Sequence, residues 1–334
     1  MSKGLLYLVL AATASVSIAH AEPVKVKLGH FAGDTEETYT GAIKPWADAV
    51  NAEAKGVIVI ELYPNGALGR NLTQQAQLID NGVQDIGFVV PGLSPGRFPD
   101  DVAYTLPGLF KDMNESSLVF DNLVRAGKMR GYENFFPVAE FGTAPFTIHL
   151  RKAITSLDGL KGLKIRAGNA IEADMLKALG AAPIVIPVNE IAEAVGRGTI
   201  DGTTAQPQTI EQFGIDRVTT YHLMAPLGSA PLEELMSKKV FDSLPKAGQD
   251  VIRKYSGRWF LKHYLDTGNV SNEKVMSRLR SNPRHKVVDL TPDDQKKWDA
   301  AAASVTAAWT AKDPANAKAL EMVKAEIAKV RSGK

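Results

Sequence analysis

The stretch Val24-Lys25-Val26-Lys27-Leu28-Gly29-His30 alternates apolar and polar residues, the period of a strand with one face toward a core. From Thr35 to Ala54 the rhythm changes. Ala42, Ile43, Trp46, Ala47, Val50 and Ala54 fall at helical spacing, and Gly56 closes the run. Val57-Ile58-Val59-Ile60-Glu61-Leu62-Tyr63 is β-branched and strand-like, and Pro64-Asn65-Gly66 is a turn. A second helix fits Asn71 to Asp80, with Gly82 beyond it, and Ile86-Gly87-Phe88-Val89-Val90 is a short buried strand. Strand, helix, strand, helix, strand within about seventy residues predicts an α/β fold with a parallel sheet.

The pattern restarts further on. Ala139 to Phe141 and Phe146 to Leu150 read as strands, Leu163-Lys164-Ile165-Arg166 as a short strand, and Ala170 to Leu179 as a helix closed by Gly180. Ile184-Val185-Ile186 is a strand, Glu190 to Arg197 a helix closed by Gly198, and Thr199-Ile200-Asp201-Gly202 another strand ending. Two α/β halves predict two lobes with a ligand cleft between them. Lys246 to about Ser281 holds no proline and repeats apolar residues from Val251 to Leu279. Read as one helix through Gly257 and Gly268, it would be ~36 residues and ~54 Å long, enough to run along both lobes. From Thr291 to Val330 two more amphipathic helices are broken at Asp313-Pro314, and the Ala/Lys-rich end reads as solvated helix.

Composition excludes several functions. The 334 residues carry 39 basic and 37 acidic side chains, net +2, which gives no reason to expect nucleic acid or an anionic membrane as a partner. There is no cysteine, so thiolate zinc sites, iron–sulfur clusters and cysteine nucleophiles are out. The six histidines are scattered, and no metal site is expected. Gly-x-Gly-x-x-Gly is absent after the first strand. Gly92-Leu93-Ser94-Pro95-Gly96 matches a nucleophile elbow only formally, because proline cannot donate the N–H that an oxyanion hole needs. The acidic group Asp34, Glu36 and Glu37 reads as favourable charge on a first helical turn. Met1 to Ala21 reads as a secretory leader: Lys3, an uncharged run from Leu5 to Ile18, then Ala19-His20-Ala21. The apolar run is too short to span a bilayer. Cleavage after Ala21 and a periplasmic protein without membrane insertion are expected.

Several short motifs, in order and spacing, resemble one family. Leu160-Lys161-Gly162-Leu163-Lys164-Ile165-Arg166, then Gly180-Ala181-Ala182-Pro183, then Ile200-Asp201-Gly202, is similar to the periplasmic binding proteins of tripartite ATP-independent periplasmic (TRAP) transporters, the dicarboxylate-type (DctP) family. Tyr63-Pro64-Asn65-Gly66-Ala67-Leu68-Gly69 resembles that family's Tyr-Pro-x-x-x-Leu-Gly turn. Asp85 with Ile86-Gly87-Phe88 resembles its Asp-x-Gly/Ala strand, and Lys239 to Pro245 the lead into its long helix. The resemblance implies a two-lobed periplasmic binding protein fold with an interlobe cleft, crossing segments and one lobe-spanning helix. It also implies no cofactor and no catalysis, but capture of a small organic acid and delivery to TRAP membrane permease subunits. On this frame lobe I takes 22–143 plus about 232–270, lobe II takes 144–231 plus about 271–311, and 312–334 is a C-terminal helix.

Arg166 is the leading site residue. A strand-end arginine in a cleft presents a planar fork of donors that matches a carboxylate, and the resemblance places it on the family's carboxylate-binding position. Many relatives carry a second ligand-facing arginine soon after a Gly-Thr pair. Here Gly142-Thr143 is followed by Ala144-Pro145-Phe146. Phe146, Val188, Pro91 and Leu227 are expected to give an apolar lining. Gln206 supplies an amide where the family usually has Asn before Pro, and Arg151 is a second basic candidate on a usually solvated position. The expected ligand has one carboxylate and an apolar remainder: a branched 2-oxo or 2-hydroxy acid, or a small aromatic acid. A C4-dicarboxylate or a uronate is the alternative within the class. A secreted α/β hydrolase and a ligand-sensing partner of a sensor kinase are the alternatives outside it.

Overall fold

The structure, a computed structural model, describes residues 22–333. The expected leader, Met1 to Ala21, lies outside them. Eleven strands follow in chain order: β1 (Val24–Gly29), β2 (Ile58–Tyr63), β3 (Ile86–Val89), β4 (Phe135–Gly142), β5 (Thr147–Leu150), β6 (Lys164–Ala167), β7 (Ala182–Val185), β8 (Gly202–Ala205), β9 (Tyr221–Leu223), β10 (Pro231–Ser237) and β11 (Lys286–Val288). They form two sheets, ordered β2-β1-β3-β10-β4 and β11-β9-β5-β8-β6-β7. The expected α/β architecture is present, but neither sheet is purely parallel. β1 runs parallel to β2 and β3, as helical crossovers require. β10 then returns after β9 of the second sheet and inserts antiparallel between β3 and β4. In the second sheet β6 is parallel to β7 and β8, whereas β5 is antiparallel to β8 and β9.

The chain passes between the sheets at several places. Residues after β4 and before β10 are zipped together: Thr143 N donates to Ala230 O at 3.1 Å, Ala230 N to Thr143 Oγ1 at 2.9 Å, and Phe146 N to Gly228 O at 3.1 Å. The helix Arg258–Ser281 is the third link. Its first turns put Phe260, Leu261 and Tyr264 into the core of the first sheet, with Trp46, Ile58 and Phe141. Its last turns put Val275 and Leu279 against Ile191 and Ile210 beside the second sheet. A further core runs from Tyr104 and Phe120 through Phe146 and Ile148 to Leu176, Trp309 and Val323.

The expected single helix from Lys246 to Ser281 is instead two, Lys246–Tyr255 and Arg258–Ser281. The second, with 24 residues, is roughly 36 Å long. Gly257 makes the break at φ 65°, ψ −118°, a backbone region closed to residues with a Cβ. Its N–H bonds Val138 O at 2.9 Å, so the corner is fastened to β4. The Arg125 side chain occupies the space a Cβ would take, with Nε 2.5 Å from that position. Arg125 in turn pairs with Asp121 at 2.7 Å and Glu140 at 2.9 Å. Gly268, by contrast, stays inside the helix.

The tail also departs from expectation. Its two helices, Pro292–Lys312 and Pro314–Arg331, break where proline predicts, and Asp313 caps the second through Ala315 N at 2.8 Å. The last helix is not solvated on all sides. Ala319, Leu320, Val323 and Ile327 form a buried stripe, which shares one core with Val119, Phe120 and Leu123 of the helix Met113–Arg125. Arg331 bonds Glu115 at 2.7 Å. Among the described residues no helix is long and apolar enough to cross a membrane.

Gly257→Ala should lower stability by about 1–3 kcal/mol, the usual range for a residue forced into a forbidden backbone region, with extra loss if Arg125 is displaced. Urea denaturation measures this. A variant as stable as the parent would show that the helix break does not depend on glycine.

Candidate functional site

The C-terminal ends of β1, β3, β6 and β8 converge on one cleft, lined just past those ends by Phe31, Val90, Gly168, Asn169 and Gln206. This is where open α/β sheets place ligands. The cleft encloses about 970 Å³ of atom-free space, its open mouth included, within the range of small-molecule sites. Five aromatic side chains line it: Phe31 and Phe88 from the first sheet, Phe146 before β5, Phe213 beyond the helix Pro207–Gln212, and Tyr264 from the long helix. Among the described residues lining it, Arg166 is the single Lys or Arg.

Arg166 is the third residue of β6, between β7 and β8. Both flanks hold it. Nε donates to Ile186 O at 2.9 Å and Nη1 to Thr204 O at 3.1 Å. The residue is 6 % exposed. No carboxylate among the described residues makes an ion pair with it; the nearest acid, Glu172, is engaged elsewhere. Glu172 accepts from Gly168 N at 3.0 Å, from Asn169 Nδ2 at 2.6 Å and from the Thr204 hydroxyl. Burial pulls the guanidinium pKa below its ordinary value, and the Glu172 carboxylate opposes that shift. A buried cation with carbonyl supports and no ion-pair partner is arranged to receive an anion. Gly168 gives it room: a Cβ there would lie 3.2 and 3.3 Å from the two Nη atoms.

Phe146, Val188 and Gln206 share the cleft with Arg166. Gln206 Oε1 accepts from Ala144 N at 2.9 Å, which ties the start of the helix Pro207–Gln212 to the crossing segment. Three other expected residues do not line the cleft. Arg151 follows the far end of β5, roughly 16 Å of extended chain from Phe146; it is exposed, and its Nη1 bonds Val195 O at 3.3 Å. Leu227 donates its N–H to Phe146 O at 2.8 Å, but its side chain lies in the core. Pro91 is buried in a tight turn whose neighbours Val90, Gly92 and Leu93 make the wall instead.

The sequence reading also passed over lining residues. Glu36 and Thr38 stand on the wall of the first sheet, and Gln208, Thr209 and Gln212 on one turn of helix opposite. The acidic group at 34–37 was the available signal for Glu36. Its reading as a helix-terminus charge holds as far as it goes, since Glu36 accepts from Thr38 N and Tyr39 N at 3.0 and 2.9 Å. Glu37 accepts from Gln212 Nε2 at 3.1 Å. The amides of 208 and 212 carry no motif by which a sequence could announce them.

Residues 28–313 match the family described as "Bacterial extracellular solute-binding protein, family 7", DctP. The C4-dicarboxylate-binding periplasmic protein DctP of Rhodobacter capsulatus is 23% identical over 296 residues, covering 84% of this chain and 85% of that protein. A marine metagenome TRAP solute-binding protein specific for aromatic acid ligands, solved with 3-hydroxybenzoate, is 27% identical with a TM-score of 0.83, covering 92% of this chain and 99% of that one. A TRAP periplasmic solute-binding protein from Haemophilus influenzae, solved with L-gulonate, shares the fold at 20% identity and a TM-score of 0.81, over 91% and 99% of the two chains.

Gly168→Ala should leave the melting temperature nearly unchanged, because its backbone is not in the left-handed region, and should weaken carboxylate binding about tenfold by pushing the guanidinium out of place. Titration with benzoate checks it. Parent-like affinity would mean that the guanidinium is not held where a Cβ would disturb it.

Proposed function

Because the chain belongs to the DctP family of extracellular solute-binding proteins, we propose that its cleft captures a small apolar monocarboxylate, with the carboxylate on Arg166. Members of this family are the solute-binding components of TRAP transporters. They work with membrane permease subunits in the periplasm and are not enzymes. The observation that carries the ligand reading is the lining itself. One buried arginine shares the cleft with four phenylalanines, and no second Lys or Arg lines it among the described residues.

A carboxylate on Arg166 replaces its lost water with two parallel charge-assisted hydrogen bonds. The rest of the ligand gains about 25 cal/mol for each Å² of apolar surface it buries against Phe31, Phe88, Phe146 and Val188. A ring or a branched chain suits those walls. A second carboxylate would lose its water beside Glu36 and Glu172 with no cation to meet it, at a cost of several kcal/mol. The likeness to an aromatic-acid binder supports a small aromatic acid. The likeness to a C4-dicarboxylate binder supports the alternative, which titration with succinate beside benzoate tests.

The lobes are proposed as 22–143 with about 232–270, and 144–231 with about 271–311, hinged at the zipped crossing and along the helix Arg258–Ser281. Met1–Ala21 is proposed as the cleaved leader. Cleft walls from both sheets favour closure around the ligand, as in other two-lobed binding proteins.

Arg166→Ala should weaken benzoate or a branched 2-oxo acid by about 30-fold to several thousand-fold, the 2–5 kcal/mol of an abandoned buried charge pair. Arg166→Lys should fail too, since a point charge lacks the fork. Calorimetry on both variants is the test, and retained affinity in Arg166→Ala removes the assignment. Small-angle scattering should show a smaller radius of gyration with saturating ligand. An unchanged radius would mean a fixed pocket.

A further inference from the structure

Arg166 accounts for one pole of the cleft and leaves the opposite wall unexplained. Glu36 lines that wall and keeps 13 % side-chain exposure. Its Oε1 accepts from Thr38 N at 3.0 Å, and its Oε2 accepts from Tyr39 N at 2.9 Å and lies 3.2 Å from His30 Nε2. The His30 side chain is fully buried with no partner for Nδ1, so Nε2 carries the hydrogen toward Glu36. A carboxylate has about four lone-pair sites, and three protein donors leave one.

The surroundings decide what the remaining site can take. The rings of Phe31, Tyr39 and Phe88 pack around His30. No Lys or Arg among the described residues forms an ion pair with Glu36. Glu37 is turned to Gln212, and Glu234 is buried in β10, where burial chiefly and the Glu36 charge besides push its carboxyl well above the usual range. Burial pushes the Glu36 carboxyl up, but the His30 bond and the two backbone N–H groups hold it below its ordinary value. The cleft therefore sets one buried cation and one ionised acceptor among apolar rings.

We propose that Glu36 is a specificity-determining residue that accepts a hydrogen bond from a hydroxyl on the part of the ligand remote from its carboxylate. The inference rests on the reading of Arg166 as the carboxylate anchor and narrows it to hydroxy-substituted aromatic or branched acids. A second carboxylate at that end meets a negative charge instead of a donor. A residue that merely capped the helix would bond Thr38 and Tyr39 and be indifferent to the ligand.

The test is calorimetry on the full chain with benzoate, the hydroxybenzoate isomers, the hydroxyphenylacetates and isophthalate, for the parent, Glu36→Gln and Arg166→Ala. The readout is the ratio of affinities within each protein, and saturable benzoate binding by Glu36→Gln shows that it is folded. The best hydroxy acid should bind the parent about tenfold or more tightly than its unsubstituted counterpart, and isophthalate more weakly than benzoate. In Glu36→Gln the hydroxyl preference should fall about threefold or more, a neutral acceptor being roughly half as strong, and isophthalate should gain on benzoate. Benzoate binding that depends on Arg166 with no hydroxyl preference, or a preference unchanged in Glu36→Gln, overturns this inference alone. Failure of every acid to bind the parent overturns the ligand class and this inference with it.

Discussion

A buried guanidinium without a carboxylate partner is the constraint around which this molecule is arranged. Taking a cation out of water costs several kcal/mol even after relaxation. The chain offsets part of that with carbonyls from both neighbouring strand ends, Ile186 O and Thr204 O. It holds Glu172 close enough to favour the charge but occupies that carboxylate with Gly168, Asn169 and Thr204. On the proposed reading, the remaining deficit is what an incoming carboxylate would satisfy. Binding strength on that reading comes from a site left incomplete rather than from contacts accumulated over a wide surface.

The two sheets supply different chemistry to the same space. The second sheet and its short helices bring the cation and the amides. The first sheet brings rings and the acid at 36. Neither half alone encloses a ligand, so the links between halves are part of the site. The zipped pair of crossing segments holds Phe146 by its backbone. The helix Arg258–Ser281 places Tyr264 in the cleft while its two ends are buried in different cores.

Much of this was legible in the sequence, and the gaps have identifiable causes. β1, β2, β3 and the helices at 44–53 and 170–178 followed from periodicity and glycine punctuation, since local signals dominate there. β10 was missed because its partners lie far away in the chain, and Glu233 and Glu234 spoil any apolar pattern. The helix Met113–Arg125 was missed although Asp112 caps it through Glu115 N at 2.8 Å. The sequence pattern runs one helix through Gly257 because a lone glycine does not reveal its φ. At the site, Arg166 stood out because its motif and its chemistry agree. Arg151 could be placed only by knowing which end of β5 faces the cleft, and a one-strand error there reverses the answer. Glu36 carried a true but partial explanation as a helix cap, which concealed its second face.

The position of β10 has a consequence for how the chain is made. A polypeptide that emerges amino end first exposes β1 to β4 long before residues 231–237 arrive to lie between β3 and β4. Until then Ile86–Val89 and Phe135–Gly142 each present an unpaired edge, a template for wrong pairing. The first sheet thus closes only after β5 to β9 of the second sheet have been made. The closing strand carries Glu233 and Glu234, both fully buried in the end, where desolvation drives their carboxyls well above the usual range. In the unfolded chain at neutral pH the same groups are charged and keep an otherwise apolar segment from associating with itself. The two acids that burden the finished core therefore guard the strand that completes it.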